Sequence, residues 1–149
     1  TSADMATMVD GLAHKPLAYG ANCGVGASDL LRTALGFRAS GVEIPIIAKG
    51  NAGIPKYVDG HIHYDGTPDL MAQYAVLARD CGARIIGGCC GTQTEHLRRM
   101  RKALEDTPPG PAPTLDKIAA TLGAFSSDSD GTDGAGPTRA RTSRRRARG

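Results

Sequence analysis

Three of the four cysteines, Cys23, Cys89 and Cys90, lie in glycine-rich turns: Gly20-Ala21-Asn22-Cys23-Gly24-Val25-Gly26 and Gly87-Gly88-Cys89-Cys90-Gly91-Thr92. Glycines on both sides let the backbone bend sharply and approach closely. Each turn follows a short apolar run that reads as a strand, and in parallel α/β sheets the C-terminal strand ends line the active site. The three sulfurs can therefore converge although Cys23 is distant in sequence. Three thiolates are a soft donor set for which zinc is the expected ion. Zinc prefers four tetrahedral ligands, so three protein ligands leave one position open, as in catalytic rather than structural sites. A thiol entering that position would lose its proton at neutral pH, whereas a free one titrates near pH ~8.5. Because three thiolates already outweigh the charge of the ion, a fourth stays electron-rich. It suits attack on an electrophilic carbon, such as a methyl group on a cationic donor. For adjacent cysteines a buried pair or a vicinal disulfide is the alternative, and this spacing matches no short zinc-finger pattern.

The elements that must position these turns alternate along the chain. Ala6 to Leu12 reads as a short helix capped by Ser2 or Asp4, and Pro16 to Ala21 as a buried strand. Ser28 offers an N-cap, after which Leu30, Leu31, Ala34 and Leu35 share a helical face. Ile44 to Ala48 is a second strand with its proline at the tolerated early position. Thr67-Pro68-Asp69 is a helix start with cap, N1 proline and acidic first turn; Met71, Tyr74, Ala75 and Ala78 continue the helix, which Cys81-Gly82 closes. Ala83 to Gly87 is a third strand, and Thr92 or Thr94 caps a last helix with Leu97, Met100 and Leu104 facing inward. The α-β-α-β-α-β-α order implies parallel strands with helical crossovers. An eight-stranded barrel needs about 250 residues, so three strand–helix pairs read as a piece of a larger barrel.

Composition bounds the rest. The 149 residues are 40% hydrophobic and 22% charged, with 20 Gly, 9 Pro, no Trp and 2 Phe, a globular composition with a core of Ala, Leu and Ile. No apolar stretch approaches the roughly 18 residues of a membrane span. No leader argues for secretion, so the cytoplasm is the expected compartment. The chain opens Thr1-Ser2-Ala3-Asp4 without an initiator Met, which suits a piece of a longer polypeptide. The net charge of +3 is concentrated in six arginines between Arg139 and Arg148. That run has no aromatics to stack bases, so it reads as a solvated tail and nucleic acid is not expected as a partner. Thr107 to Pro113 is unfavourable for helix and strand, Leu115 to Leu122 allows a helical turn or two, and Ser126 to Gly136 is linker-like. The foldable part is expected to end near residue 105.

Asn22-Cys23 after a strand, Gly50-Asn51-Ala52-Gly53-Ile54-Pro55, and Gly87-Gly88-Cys89-Cys90-Gly91-Thr92 before a helix closely resemble the homocysteine S-methyltransferase family. That family includes betaine–homocysteine methyltransferase and the homocysteine domain of cobalamin-dependent methionine synthase. The resemblance runs from about Leu17 to Leu104. It implies an α/β fold, the C-terminal part (about strands 6 to 8) of a (β/α)8 TIM barrel. Residues 1–105 would form this part of a homocysteine-binding barrel, and residues 106–149 a linker and disordered tail. By the resemblance Cys23, Cys89 and Cys90 match the family's zinc ligands, and Asn22 and Asn51 would lie near the substrate. Homocysteine would place its sulfur on zinc and leave as methionine. The Asn-Ala-Gly-x-Pro element looks like the methionine synthase version. Betaine-type onium compounds, S-methylmethionine and methylcobalamin serve relatives as donors, and a betaine-type donor is the expectation. The family's barrel begins well upstream, and its N-terminal half holds the charged groups of the substrate. The missing half or a homo-oligomer is therefore an expected partner, with weak or absent turnover by this chain alone. The rival readings are a non-catalytic half-barrel fragment and a methionine-synthase-type domain using methylcobalamin.

Other candidates read as follows. His61-Ile62-His63 sets two imidazoles on one side of an extended segment, which suits a metal or, among Tyr57, Asp59, Tyr64 and Asp65, a polar loop over a barrel mouth. Asp59 and Asp65 could neutralise a cationic donor or stand as solvated loop carboxylates. His14 and His96 read as surface residues, and Cys81 as a small buried filler. Gly24-Val25-Gly26 lacks the full glycine pattern of a phosphate loop.

Overall fold

The structure is a computed structural model that describes residues 1–24, 26–41 and 43–127. In chain order the elements are α1 (Ser2–Asp10), β1 (Tyr19–Asn22), α2 (Ala27–Ala39), β2 (Ile46–Gly50), β3 (Lys56–Val58), β4 (His61–His63), α3 (Pro68–Asp80), β5 (Ala83–Gly88), α4 (Thr94–Asp106) and α5 (Leu115–Leu122). The expected alternation is present, as a mixed α/β fold around a small parallel sheet.

The three strands read from the sequence pair in the order β1-β2-β5, all parallel, with β2 in the middle. Period-two side-chain geometry then divides β2 between two environments. Ile46, Ala48 and Gly50 are buried, while Ile47 is half-buried and Lys49 exposed on the other side. The buried side packs under α2 and α3, where Leu31, Met71, Tyr74, Ala75, Ala78 and Cys81 are sealed from solvent. Cys81 is the buried filler its neighbours suggest. On the opposite side Ile85 is 48% exposed, so only one face of the sheet carries a helical layer. Among the described residues no helix is long and apolar enough to cross a membrane.

Local chemistry sets the helix starts, with some departures from the sequence reading. Thr67 caps α3 by accepting the Leu70 N–H at 3.2 Å, with Pro68 following it. α1 is capped by Thr1, one residue before the expected Ser2, and Asp4 completes a reciprocal capping box. Gly26, not Ser28, stands at the α2 N-cap. Ser28 is buried inside the first turn, and its hydroxyl donates instead to the Gly123 carbonyl at 2.6 Å.

That bond belongs to a second departure. The folded body does not stop near residue 105. Ile118 of α5 is fully buried in the same core as Leu31 and Tyr74. The proline-rich stretch before it has lost backbone donors but keeps its carbonyls. Arg79 collects two of them, those of Thr107 at 2.6 Å and Pro108 at 2.8 Å, and Asp80 accepts the Gly110 N–H at 3.1 Å. Farther on, the Arg32 guanidinium lies 4.6 Å above the Phe125 ring, and Asp29 accepts the Ser126 N–H. The Arg139–Arg148 run lies outside the described residues.

A third departure is a hairpin. β3 and β4 pair antiparallel, Tyr57 opposite Ile62, and every residue of both strands is exposed. Asp59 and Gly60 between them have φ of 49° and 81°, the doubly positive pattern of a type I′ turn. Asp-Gly between two short runs is a hairpin signal that a reading as polar loop overlooked.

Candidate metal centre

The C-terminal ends of the strands bring Cys23, Cys89 and Cys90 together. Their sulfurs lie 2.9 Å (Cys23–Cys89), 3.5 Å (Cys23–Cys90) and 3.9 Å (Cys89–Cys90) apart. Among the described residues this is the one group of three or more His, Cys, Asp or Glu side chains whose ligand atoms all fall within 4.8 Å of one another. Cys23 and Cys89 are half-buried and Cys90 is exposed, so the cluster opens to solvent.

The middle strand gathers these residues. The Cys23 N–H donates to the Lys49 carbonyl at 3.1 Å, and the Cys89 N–H to the Gly50 carbonyl at 2.7 Å. Cys90 is bound twice. Its N–H donates to the Asn51 side-chain oxygen at 3.1 Å, and its carbonyl accepts the Ala52 N–H at 2.9 Å. The Asn51 amide also donates to the Gly24 carbonyl at 3.1 Å. Beneath them the Gly50 N–H donates to the buried Tyr74 hydroxyl at 2.9 Å. Cys23 has a φ of 58°, a left-handed conformation uncommon for a residue with a side chain, and this turns its thiol toward Cys89.

Proximity couples the thiols. Cys23 is pushed up to about 11, first by its hydrogen bonds to Cys89 and Cys90, then by desolvation, and last by repulsion from the neighbouring sulfurs. Cys89 moves down, because Cys23 and Asn22 donate to its sulfur. Asn22 Nδ2 lies 3.9 Å from that sulfur. The neighbouring Cys90 thiol pushes the Tyr64 phenol up. The Cys89 thiol thus ionises more readily than an ordinary one, while Cys23 resists ionisation until positive charge arrives. Tetrahedral zinc with Zn–S of about 2.3 Å spaces its sulfurs by about 3.8 Å. Two of the three observed separations are already close to that, and the third would open by under about 1 Å. The cluster can hold a metal ion.

Other candidates fall elsewhere. His61 and His63 stand exposed on the hairpin, outside any such cluster among the described residues. Asp59 lies in its turn, and Asp65 pairs with Lys56, which lowers its carboxyl. His14 is exposed as expected. His96 is not: it is 8% exposed. Its Nδ1 accepts the Gln93 N–H at 3.0 Å, and Nε2 lies 2.9 Å from the Gly66 carbonyl. With Nδ1 accepting, the ring proton sits on Nε2 and donates to Gly66. Leu97, expected inward, is 48% exposed, so His96 and Met100 form the inner face of α4 there. Gly66 also donates to the Ala52 carbonyl at 2.9 Å, and a Cβ at this position would lie 2.3 Å from the Ala52 carbonyl carbon. His96 therefore ties the helix after Cys90 to the loop beside Asn51. In the sequence Tyr64, Tyr74 and His96 read only as a loop residue, a helix-face residue and a surface residue, and none of them as a support of the site. For His96 the signal was its place three residues after Gln93, the capping-box position.

A match to the homocysteine S-methyltransferase family spans residues 1–104. With this coverage, and with the Asn22-Cys23 and Gly87-to-Thr92 elements at the convergence of the sheet, the chain belongs to the homocysteine S-methyltransferase family.

Proposed function

We propose that this chain carries the zinc-binding part of a homocysteine S-methyltransferase, with Cys23, Cys89 and Cys90 as the protein ligands. The observation that carries the reading is the convergence of three sulfurs, from turns 66 residues apart, at the open end of a parallel sheet. Cys23, Cys89 and Cys90 would hold the zinc, which when bound would supply the positive charge that keeps a substrate thiol deprotonated near neutral pH. The reaction this supports is attack of the homocysteine thiolate on a methyl carbon. The new S–C bond would form as the C–N bond of an onium donor breaks, the bonding electrons would quench the positive nitrogen, and methionine would be the product. A betaine-type donor fits this balance. Methylcobalamin, as in a methionine-synthase-type domain, is the alternative donor.

The chain's own residues contribute three things. Gly50 and Lys49 fix the cysteine backbones, Asn22 donates to the Cys89 sulfur, and the exposure of Cys90 leaves a path for substrate. Residues 1–105 would correspond to about strands 6 to 8 of a (β/α)8 barrel. The uncovered sheet face, with Ile85 on it, is then the barrel interior, closed by an N-terminal half or a second copy. Free thiolates require a reducing compartment, which favours the cytoplasm.

A second reading, a half-barrel without turnover, draws on the same uncovered face. Zinc per chain, measured on reduced protein beside Cys23→Ser and Cys90→Ser, tests the first. About one zinc, lost in both variants, supports it, and no zinc in the folded chain overturns it. Methyl transfer to homocysteine, assayed with the N-terminal half of the barrel supplied, separates the two readings.

A further inference from the structure

Asn51 is 2% exposed and sits between the two cysteine turns. An asparagine amide offers a carbonyl acceptor on one side and N–H donors on the other. Here the acceptor meets the Cys90 N–H and the donor meets the Gly24 carbonyl, both at 3.1 Å. The reversed amide would set donor against donor and acceptor against acceptor, so the orientation is fixed by its partners. One side chain thereby spans the residue after Cys23 and the backbone of Cys90. No other side chain among the described residues is seen to bond the backbones of both turns. Cys89 needs no such help, because the Gly50 carbonyl holds its N–H directly.

We infer that Asn51 is a positioning residue that sets the spacing of Cys23 and Cys90 for the metal, rather than a contact to the substrate. This rests on the zinc reading above. The backbones of the two turns come from opposite edges of the sheet; Lys49, Gly50 and Ala52 tie each turn to the middle strand or the residues just after it, and the Asn51 side chain links one turn to the other. Losing the amide would remove that link while leaving β1, β2 and β5 paired and those backbone bonds in place. The expected cost is that of an outer-shell partner of a metal ligand, 10- to 100-fold (about) in metal affinity.

The test uses the full 149-residue chain with Asn51→Ala. Zinc affinity is measured by competition with a chromogenic chelator, and cobalt substitution is followed by sulfur-to-metal charge-transfer absorption, whose intensity reports the number of thiolates on the ion. Ile118→Val, in the core away from the site, controls for a general loss of stability. The expected result is a tenfold or greater loss of zinc affinity and weaker charge-transfer absorption in Asn51→Ala, with both unchanged in Ile118→Val. A merely structural role would lower the melting temperature of the metal-free chain and leave the cobalt spectrum as in wild type, which would overturn the inference. Should Asn51→Ala not fold, Asn51→Asp is read the same way, since it keeps the acceptor for Cys90 and loses the donor to Gly24. If the wild-type chain takes up neither ion, the zinc reading and this inference fall together. If wild type binds and Asn51→Ala matches it, only the positioning role fails.

Discussion

Replacing His96 by leucine fills the same volume and deletes both ring nitrogens. The Gly66 carbonyl, itself buried, would lose the donor that reaches it at 2.9 Å. An unsatisfied buried acceptor costs about 1–3 kcal/mol. The Gln93 N–H would lose its acceptor as well, but Gln93 is exposed and water can replace part of the bond, so the capping loss is ~0.5–1 kcal/mol. Together the variant should be destabilised by about 1.5–4 kcal/mol, a large share of the ~5–15 kcal/mol that holds an ordinary domain. In a urea titration with a slope of about 1.5 kcal/mol per molar, this lowers the midpoint by between about 1 and 3 M. A glutamine at 96 is the usual partner in a capping box. His96→Gln should therefore recover the smaller, capping portion and leave most of the deficit. A surface histidine would change stability by no more than about 0.5 kcal/mol. A midpoint shift under about 0.3 M for His96→Leu would therefore refute the assignment of His96 as the link between α4 and the Gly66 loop.

Two further expectations follow from burial. Cys81 is pushed up to about 12 from its ordinary 9.0, by desolvation first and then by Asp80. Above pH ~9 the unfolded thiol loses its proton while the folded one keeps it. Stability should therefore fall with rising pH by up to about 1.4 kcal/mol per pH unit from this group. Urea midpoints between pH 8 and 11 (roughly) should decline more steeply in wild type than in Cys81→Ala, and parallel slopes would count against a protonated buried thiol. Ile118→Ala should cost about 2–5 kcal/mol as a core truncation. Thermal melts within a degree of wild type would mean that α5 is not part of the body.

Much of the site was legible because its logic is local. The strands before Cys23 and Cys89 are short apolar runs, glycines follow them, and the crossover helices enforce parallel pairing. The sulfurs must then emerge at one end of the sheet. Strand boundaries were less legible. Both β1 and β2 begin later than the apolar runs do, since Pro45 has no N–H to give and serves as acceptor for Tyr19 at 3.0 Å. What joins the turns was not legible at all. From sequence Asn51 reads as a residue near the substrate, and nothing in the pattern reveals its bonds to two backbones at 3.1 Å. By polarity alone His96 reads as a surface residue, although its spacing from Gln93 fits a cap and the structure buries it. The helix α5 has apolar residues at Leu115, Ile118, Ala119 and Leu122, the correct helical spacing. The proline run before it nevertheless reads as the end of a domain, which hides the helix's place in the core.

The 66-residue separation of Cys23 and Cys89 bears on how the chain would respond to gaining or losing an ion at the proposed centre. Any bond through the cluster closes a loop of that length. In the unfolded ensemble such a closure removes chain entropy equivalent to about 4 kcal/mol, on the reckoning used for covalent cross-links. Cys89 and Cys90 are neighbours and can meet an ion while the rest of the chain is still unfolded. Cys23 can join only after β1 and β5 have both docked on β2. Completion of the centre would thus come late in folding, as a clasp over a topology already chosen. Chelation would then remove the clasp without erasing the arrangement beneath it, and a metal-depleted chain should reload faster than a denatured one refolds.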